Sequence, residues 1–155
     1  MRLIVQRVAN AAVSWQAAGG TERREIGSGL AILVGAGAAD TARDAQRLAR
    51  KVAGLRIFAD ANGHSNLSLL DVGGAALVVS QFTLYADLAR GRRPSFIAAG
   101  DPAAARQRVD DFAAELRAQG VPVETGEFGA RMEVEITNDG PVTFALSTDE
   151  WITRV

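Results

Sequence analysis

Polar side chains appear abruptly where an apolar run near the middle of the sequence ends. The run AALVV is followed by Ser80, Gln81 and Thr83 in the stretch SQFTLYAD. Polar groups at the exit of a buried strand must find hydrogen-bond partners or face a cavity, because an unpaired buried polar group is costly. From the residues alone both interpretations stay open: hydrogen bonding at the end of a sheet, or the wall of a pocket.

A second candidate stretch, Asn-Asp-Gly-Pro at residues 138–141, interrupts an alternation of apolar residues. Asp139-Gly140 alone would suffice for a hairpin turn, so Pro141, which cannot donate to a strand ladder, needs a further reason. X-Pro bonds are the usual place for a cis peptide. A cis Gly140–Pro141 bond would turn backbone carbonyls outward, where they could accept hydrogen bonds from an ammonium group. The alternative is a plain tight turn.

Other common catalytic constellations are missing or weak in this sequence. The absence of cysteine excludes thiolate catalysis and cysteine-ligated metals. The one histidine, His64, lies in the turn-rich stretch NGHSN, which favours an exposed loop over a Ser-His-Asp triad. Asp110 and Asp111 are neighbours on a predicted helix and do not face each other. Glu133 and Glu135 fit the solvated face of a strand. No metal ion and no cofactor is therefore expected.

The composition is typical of one globular domain that spans residues 1–155. A chain of this length buries roughly 70% of its unfolded surface, and 48% of its residues are apolar against 23% charged. No run reaches the roughly 18 apolar residues of a membrane helix. The start MRLIVQRV meets a charge too early for a secretion signal. We therefore expect a cytoplasmic protein with no membrane partner.

The net charge of −1 argues weakly against a nucleic-acid partner. Such a partner would need a local basic patch, because phosphate binding depends on clustered Lys and Arg. The best local cluster is formed by Arg90, Arg92 and Arg93 in ARGRRPSF. A second basic cluster lies at residues 47–51 of the first predicted helix, where a solvated surface is the favoured interpretation.

The elements that must position these stretches are two helices and a set of strands. The pattern predicts early strands at 3–8, 13–17, 22–26 and 29–35. A helix then begins at Asp40 or Thr41 and ends at Gly54. A buried strand covers 75–82, and Asp101-Pro102 begins a second helix. Late strands follow at 121–126, 131–137 and 142–147. The order ββ(β)-α-β-α-βββ predicts an α+β fold, a mainly antiparallel sheet or partial barrel with both helices packed on one side.

Several motifs occur together in this chain. SQFTL at 80–84 and NDGPVTF at 138–144 accompany QRV at 6–8, GLAILVG at 29–35 and RRPSF at 92–96. In this combination the sequence closely resembles the D-aminoacyl-tRNA deacylase family, the D-tyrosyl-tRNA(Tyr) deacylases, over essentially its whole length. The resemblance implies hydrolysis of the ester bond of D-aminoacyl-tRNA, with release of free D-amino acid and tRNA. Glycyl-tRNA mischarged on tRNA(Ala) is an implied second substrate, because glycine has no side chain to reject.

The resemblance also implies how the site is built. The family forms homodimers with two sites near the subunit interface, and its cis Gly-Pro pair reaches into the pocket of the partner. Carried onto this chain, the carbonyls of Gly140 and Pro141 would accept the α-amino group of the substrate and exclude an L-side chain. Arg7 and Asn138 would support this loop, although Arg7 could equally pair with a surface carboxylate. The expected partner is tRNA, bound mainly by its acceptor end, and not DNA.

The resemblance assigns Ser80, Gln81, Phe82 and Thr83 to the adenosine end and the scissile ester. In one mechanism the Thr83 hydroxyl attacks and forms an acyl intermediate. In the other, which we favour, water attacks while backbone N–H groups around Phe82 and Thr83 stabilise the oxyanion. The 2′-hydroxyl of the terminal ribose would assist the water. We favour this route because the sequence offers Thr83 no nearby general base.

The sequence departs from the family pattern at two places and leaves two rival functions open. Ala98 stands where the family commonly has a lysine after RPSF, so a phosphate contact is lost or replaced. The tail at 147–155 extends past the usual end of bacterial members. The first rival is a non-catalytic RNA- or nucleotide-binding module that keeps the pocket. The second is an esterase of other aminoacyl esters with Thr83 as its nucleophile.

Overall fold

The structure, a computed structural model, describes residues 1–89 and 91–150. Within these residues the chain forms strands and helices with the following bounds: β1 (Arg2–Ala17), β2 (Gly20–Ile26), β3 (Gly29–Gly35), α1 (Ala42–Ala53), β4 (Phe58–Ala59), β5 (Ser65–Leu67), β6 (Ala75–Ser80), a 3₁₀ helix (Phe82–Tyr85), α2 (Pro102–Ala118), β7 (Val123–Thr125) and β8 (Met132–Ser147). The predicted α+β class with two principal helices is confirmed. No helix in the described part of the chain is long and apolar enough to span a bilayer.

The long strand β1 organises the main sheet. Its first half pairs with β3, its second half pairs with β2, and β8 pairs along its other edge, all antiparallel. Strand β6 joins β3 and β7 joins β6, both in parallel. The result is a mixed sheet, nearly closed into a barrel. Because parallel neighbours need a crossover connection, α1 and α2 lie in the β3–β6 and β6–β7 connections.

The sheet buries an apolar cluster on each face. On one face, Leu3 and Val5 of β1 pack with Val52 of α1 and Phe112 of α2. Both helices therefore cover the same face, as predicted. The opposite face carries a smaller cluster built mainly from the strands, which includes Val13 and Leu77.

The predicted strands 3–8 and 13–17 form one continuous strand in the structure, and so do 131–137 and 142–147, so the bounds of the predicted strands differ from the structure at both places. The alternation of apolar residues is interrupted in both strands where the register between β1 and β8 shifts, around Gln6, Val8 and Asn10 of β1. A bulge of this kind inserts a residue and changes which face later side chains occupy. Leu3 and Val5 consequently face the helices, whereas Val13 faces the smaller cluster. Local sequence suggested ends at these points, but pairing with a long neighbour continues both strands.

Local helix signals in the sequence are confirmed. Thr41 caps α1 in a capping box, in which its hydroxyl accepts from Asp44 N and the Asp44 carboxylate accepts from Thr41 N. The Thr41 hydroxyl and then its N–H lower the pKa of Asp44. Asp101 caps α2 by accepting from the N–H groups of Ala103 and Ala104. The small β4–β5 hairpin inside the turn-rich segment was not predicted.

Candidate active site

A cavity of about 560 Å³ opens at the carboxyl ends of the parallel strands β3 and β6. This edge is the usual place for a ligand site in parallel sheets, because the loops that follow neighbouring strands diverge there. Its wall is mostly apolar and comes from the strand ends, the start of α2 and the segment before β8: Val34, Ala36, Val79, Ser80, Gln81, Phe82, Ala99, Gly100, Pro102, Ala105, Val109, Phe128, Gly129, Ala130, Met132 and Val134. Three of the four residues expected at the scissile ester therefore line one cavity.

Ser80 and Gln81 form the polar part of this wall. Gln81 N donates to the carbonyl oxygen of Val34 over 2.8 Å, which continues the pairing of β6 with β3 for one more residue. Thr83 is exposed and is absent from the cavity wall, but its hydroxyl oxygen accepts a hydrogen bond from the Gln81 side-chain amide. The Phe82 ring is 57% exposed and lies edge-on to Phe96, with 4.9 Å between ring centroids.

The 3₁₀ helix starts at Phe82 and leaves backbone donors at its beginning. Its first helical hydrogen bond runs from Leu84 N to the carbonyl of Gln81, at 3.3 Å. The N–H groups of Phe82 and Thr83 precede that bond, and the first N–H groups of a helix have no carbonyl partner within it. Backbone donors are thus available next to the polar part of the wall.

The Gly140–Pro141 peptide bond is cis, as the resemblance to the family implied. Both residues are exposed and lie within β8, and neither belongs to the cavity wall of the same chain. Asn138 holds the segment from one side, since its Oδ1 accepts from Val142 N over 2.9 Å.

Arg7 holds the same segment from the other side. Its Nε donates to the Asp139 carbonyl at 3.1 Å and lies 3.0 Å from the Asp139 carboxylate. Its Nη1 donates to the carbonyl of Ile57 at 2.5 Å. Arg7 therefore ties the loop before β4 to the residue that precedes Gly140. The sequence left two contacts open for Arg7, one with the loop that carries Gly140 and Pro141 and one with a surface carboxylate. In the structure Arg7 makes both.

The predicted basic cluster is partly described. Arg92 and Arg93 are exposed, and neither guanidinium lies within salt-bridge distance of a carboxylate in the described residues. Arg90 lies outside the described residues. The loop that carries Arg92 and Arg93 is closed by two hydrogen bonds between the backbones of Asp87 and Ser95, at 2.8 and 2.9 Å. Of the tail, residues 151–155 also lie outside the described part of the chain.

His64 and the glutamates of β8, for which the sequence favoured an exposed surface over a catalytic role, lie away from the cavity. His64 is exposed and contributes its backbone to the tight loop around Asp60. Glu135 pairs with Arg23 at 2.6 Å on the sheet surface, and this partner lowers the pKa of the Glu135 carboxyl. Among the described residues no group of three or more His, Cys, Asp or Glu could hold a metal ion.

Sequence reasoning missed two groups of residues around the site. One is the apolar wall from α2 and from residues 128–130, whose closeness to Ser80 depends on the tertiary fold. The other is Tyr85 with its partner Asp40, which the sequence places 45 residues apart. A tyrosine at the end of SQFTLY was the one available signal, since a buried tyrosine needs a partner for its hydroxyl.

Comparison with known proteins extends over nearly the whole chain. The model of the family described as D-Tyr-tRNA(Tyr) deacylase matches residues 4–147. A D-aminoacyl-tRNA deacylase of Chloroflexus aurantiacus is 57% identical over 150 residues, which cover 97% of this chain and 92% of the relative. The protein of the same name from Bacillus licheniformis is 53% identical over 148 residues, which cover 96% and 99%.

Solved structures agree on the fold. One, titled c-Myc DNA Unwinding Element Binding Protein, superposes with a TM-score of 0.87 and 36% identity over 96% of this chain and 99% of its own. Another, titled as a probable eukaryotic D-amino acid tRNA deacylase, has a TM-score of 0.78 over 94% and 98% of the two chains. At 17% identity the second comparison supports the fold alone.

The barrel-like α+β fold, with its cavity at the strand ends, and these relatives together define the protein as a hydrolase. More specifically, the chain belongs to the D-Tyr-tRNA(Tyr) deacylase family.

Proposed function

We propose that this protein hydrolyses the ester bond of D-aminoacyl-tRNA and releases the D-amino acid and tRNA in the cytoplasm. The observation that carries the proposal is the family match over residues 4–147, which includes both SQFT and the NDGP segment. The cavity is apolar with one polar rim, a form suited to a small organic group held by a few placed hydrogen bonds. The terminal adenosine of tRNA and its esterified amino acid are groups of this kind.

Chiral selection in this proposal depends on main-chain oxygens. The carbonyls of Gly140 and Pro141 accept the α-amino group of the substrate and leave no space for an L-side chain. The exposure of both residues and the bracing of the preceding residue by Arg7 support this role, since a sorting device must be accessible and held in place. Glycine has no side chain to be rejected, so glycyl-tRNA mischarged on tRNA(Ala) is a second substrate.

The Gly-Pro pair acts across a homodimer interface. In support, Gly140 and Pro141 are outside the cavity wall of their own chain, so a second copy would have to supply them. Strand β8 carries apolar side chains that are unusually exposed: Val134 at 38%, Ile136 at 36% and Phe144 at 43%. Within the described residues β8 pairs with β1 along one edge. An exposed apolar edge strand is a surface that proteins commonly cover with a partner.

Ester hydrolysis proceeds by attack of water, assisted by the 2′-hydroxyl of the terminal ribose. The N–H groups of Phe82 and Thr83, which precede the first bond of the 3₁₀ helix, stabilise the oxyanion. The hydroxyl oxygen of Thr83 accepts from the Gln81 amide, which is a donor and not a base. A nucleophilic hydroxyl needs a group that removes its proton, so this contact favours the water route over an acyl-enzyme.

Replacement of Thr83 by alanine tests the choice between the two routes. We expect Thr83→Ala to keep its single-turnover rate constant within about tenfold of the wild type, because one hydrogen bond and not the nucleophile is lost. Thr21→Ala is the matched control and should keep its rate, because Thr21 is also exposed and accepts from a glutamine amide, that of Gln16, outside the cavity wall. If Thr83→Ala abolishes hydrolysis while the wild type shows a burst of acyl-enzyme, Thr83 is the nucleophile.

The tRNA is held mainly at its acceptor end. The exposed guanidiniums of Arg92 and Arg93 supply a local positive charge on a chain whose net charge is −1. Each phosphate contact that these residues make should steepen the dependence of affinity on salt. The expected partner is tRNA and not duplex DNA, because only the acceptor end of tRNA carries the ester that the cavity receives.

The decisive experiment incubates the purified protein with D-tyrosyl-tRNA and L-tyrosyl-tRNA in parallel, with and without EDTA. We expect loss of the D-ester alone, at the same rate in both buffers. Loss of neither ester would indicate a non-catalytic RNA-binding module, and loss of both would indicate an unselective esterase. Inhibition by EDTA would contradict the metal-free mechanism.

A further inference from the structure

Tyr85 is the buried residue of the short 3₁₀ helix that borders the cavity. Of its four residues, all of which the structure describes, Phe82 and Thr83 are exposed, Leu84 is half-buried and Tyr85 is 5% exposed. We infer that Tyr85 is a positioning residue for the proposed deacylation, a role that rests on the proposed function. It holds the helix so that Phe82 and Thr83 stay at the cavity.

The hydroxyl of Tyr85 is anchored to a carboxylate from another part of the chain. It donates to Asp40 Oδ2 over 2.8 Å, and the same oxygen accepts from Gly37 N over 2.6 Å. The other carboxylate oxygen of Asp40 contacts the amino group of Met1 and the hydroxyl of Thr148. Asp40 is thus held from several directions and gives the tyrosine a fixed partner. Burial and then the hydrogen bond to Asp40 raise the pKa of Tyr85, so the hydroxyl stays protonated as a donor.

The ring of Tyr85 has Arg2 over one face and glycine backbone close beside it. The Arg2 guanidinium carbon lies 4.3 Å from the ring centroid, a distance typical of a cation–π contact. Glycines allow the ring to pack close to β3 and the residues that follow it. A Cβ at Gly37 would lie 2.6 Å from the ring, and one at Gly35 would lie 3.3 Å from it. The position of the ring is therefore determined by its surroundings.

The same contacts reach the helix itself. Arg2 Nη1 donates to the carbonyl of Leu84 over 2.9 Å, so the guanidinium that covers the Tyr85 ring also binds the helix backbone. A helix of four residues has too few internal hydrogen bonds to fix its own orientation. Phe82 and Thr83 are exposed, and in the described part of the chain their side chains make only the ring pair with Phe96 and the hydrogen bond with Gln81 described above. The orientation of their N–H groups therefore depends on the anchor at the other end of the helix.

The variant Tyr85→Phe tests this role with the smallest change, since it removes the bond to Asp40 and leaves the ring under Arg2. Misplacement of reacting groups by about 1 Å can cost about 100-fold in rate. For the partial loosening expected here we predict that kcat falls about tenfold. KM for D-aminoacyl-tRNA should change less than about twofold, because the N–H groups of Phe82 and Thr83 act on the oxyanion, which forms only in the transition state. Val52→Ala, a buried change in α1 outside the cavity wall, is the matched control for lost stability.

Amide hydrogen exchange supplies a second readout that does not need activity. In Tyr85→Phe the amides of Leu84 and Ala86, which donate within the 3₁₀ helix and its cap, should exchange faster than in the wild type. The amides of α1 and α2 should keep their wild-type rates. Val52→Ala should show the opposite pattern, with unchanged kcat and faster exchange in α1.

The outcomes separate this inference from the proposed function. If the wild type leaves the D-ester intact, the proposed function fails, and the exchange comparison alone decides whether Tyr85 holds the helix. If the wild type is active and Tyr85→Phe has the same kcat, or if only its KM changes, Tyr85 is not a positioning residue. Unchanged exchange at Leu84 and Ala86 would overturn the inference in either case.

Discussion

The substitution Gly140→Ala perturbs the proposed sorting device at its centre. Gly140 has φ of +145°, a backbone conformation that residues with a side chain rarely adopt. A Cβ built there would lie 2.6 Å from both Val142 Cγ2 and Val142 N. The methyl of a valine can rotate away, but the backbone nitrogen cannot move without shifting the segment. The alanine would therefore displace the carbonyls that the proposal assigns to the substrate.

The expected loss of stability follows from this geometry. A residue with a side chain in this region costs on the order of 1–3 kcal/mol. For a domain of this size each kcal/mol lowers Tm by about 2–4 °C, so we expect a decrease of about 2–12 °C. A displacement of the carbonyls by about 1 Å should lower the rate constant for the D-ester about 100-fold. The loss of activity is thus larger than the loss of stability would explain at 25 °C.

The assay is single-turnover deacylation of D-tyrosyl-tRNA at 25 °C, with thermal unfolding measured on the same preparations. Gly63→Ala is the matched control, because Gly63 also has a positive φ, of +80°, with nothing within 4 Å of an added Cβ. We expect it to lose stability and keep its activity. Activity of Gly140→Ala within about threefold of the wild type would refute the role of these carbonyls. An equal loss of activity in Gly63→Ala would assign the effect to stability alone.

Three further changes test other parts of the structure. Arg7→Lys keeps the charge, but lysine lacks the planar fork that reaches the carbonyls of Asp139 and Ile57 together. D-ester hydrolysis should therefore fall about tenfold. An unchanged rate would mean that Arg7 is only a surface ion pair. Thr41→Ala should cost about 1 kcal/mol in urea unfolding at neutral pH. The Thr41 hydroxyl lowers the pKa of Asp44 in the folded state. The stabilisation from this contact is therefore present above the pKa that Asp44 has in the unfolded chain, and it is lost as the pH falls through the pKa of Asp44 in the folded protein. A difference in stability between variant and wild type that stays constant into acid would contradict this linkage. Ile136→Lys places a charge on the exposed face of β8, where the proposal puts the subunit interface. Sedimentation should therefore show a dimer for the wild type and monomers for the variant, and an equal mass for both would contradict an interface at this face.

The helices could be predicted from the sequence because their signals are local. Thr41 and Asp101 satisfy N–H groups within three residues, and the apolar stripe of each helix repeats at the helical period. The course of β1 and β8 could not be predicted in the same way. Their continuity depends on pairing between residues more than a hundred positions apart, such as Val8 with Asn138.

The candidate site also contains residues that local sequence could indicate and residues that depend on distant contacts. Ser80 and Gln81 were recognisable because polar residues end an apolar strand, and Gly140-Pro141 because proline is unusual in a strand. The link from Tyr85 to Asp40 was not recognisable, since a tyrosine gives no sign of which distant carboxylate accepts its hydrogen bond. The parallel pairing of β3 with β6 was also missed, although the intervening helix α1 is the connection that such pairing requires.

The pairing of Arg2 with Ser147 joins residues that are more than a hundred positions apart in the chain. During synthesis, one edge of β1 stays without its partner until β8 has left the ribosome, because β8 is translated more than a hundred residues later. Contacts so distant in sequence are associated with slow folding and with aggregation of the unfinished chain. Nascent chains that stop before residue 132 would expose that edge, and a chaperone that binds extended apolar segments should select them over the full-length product.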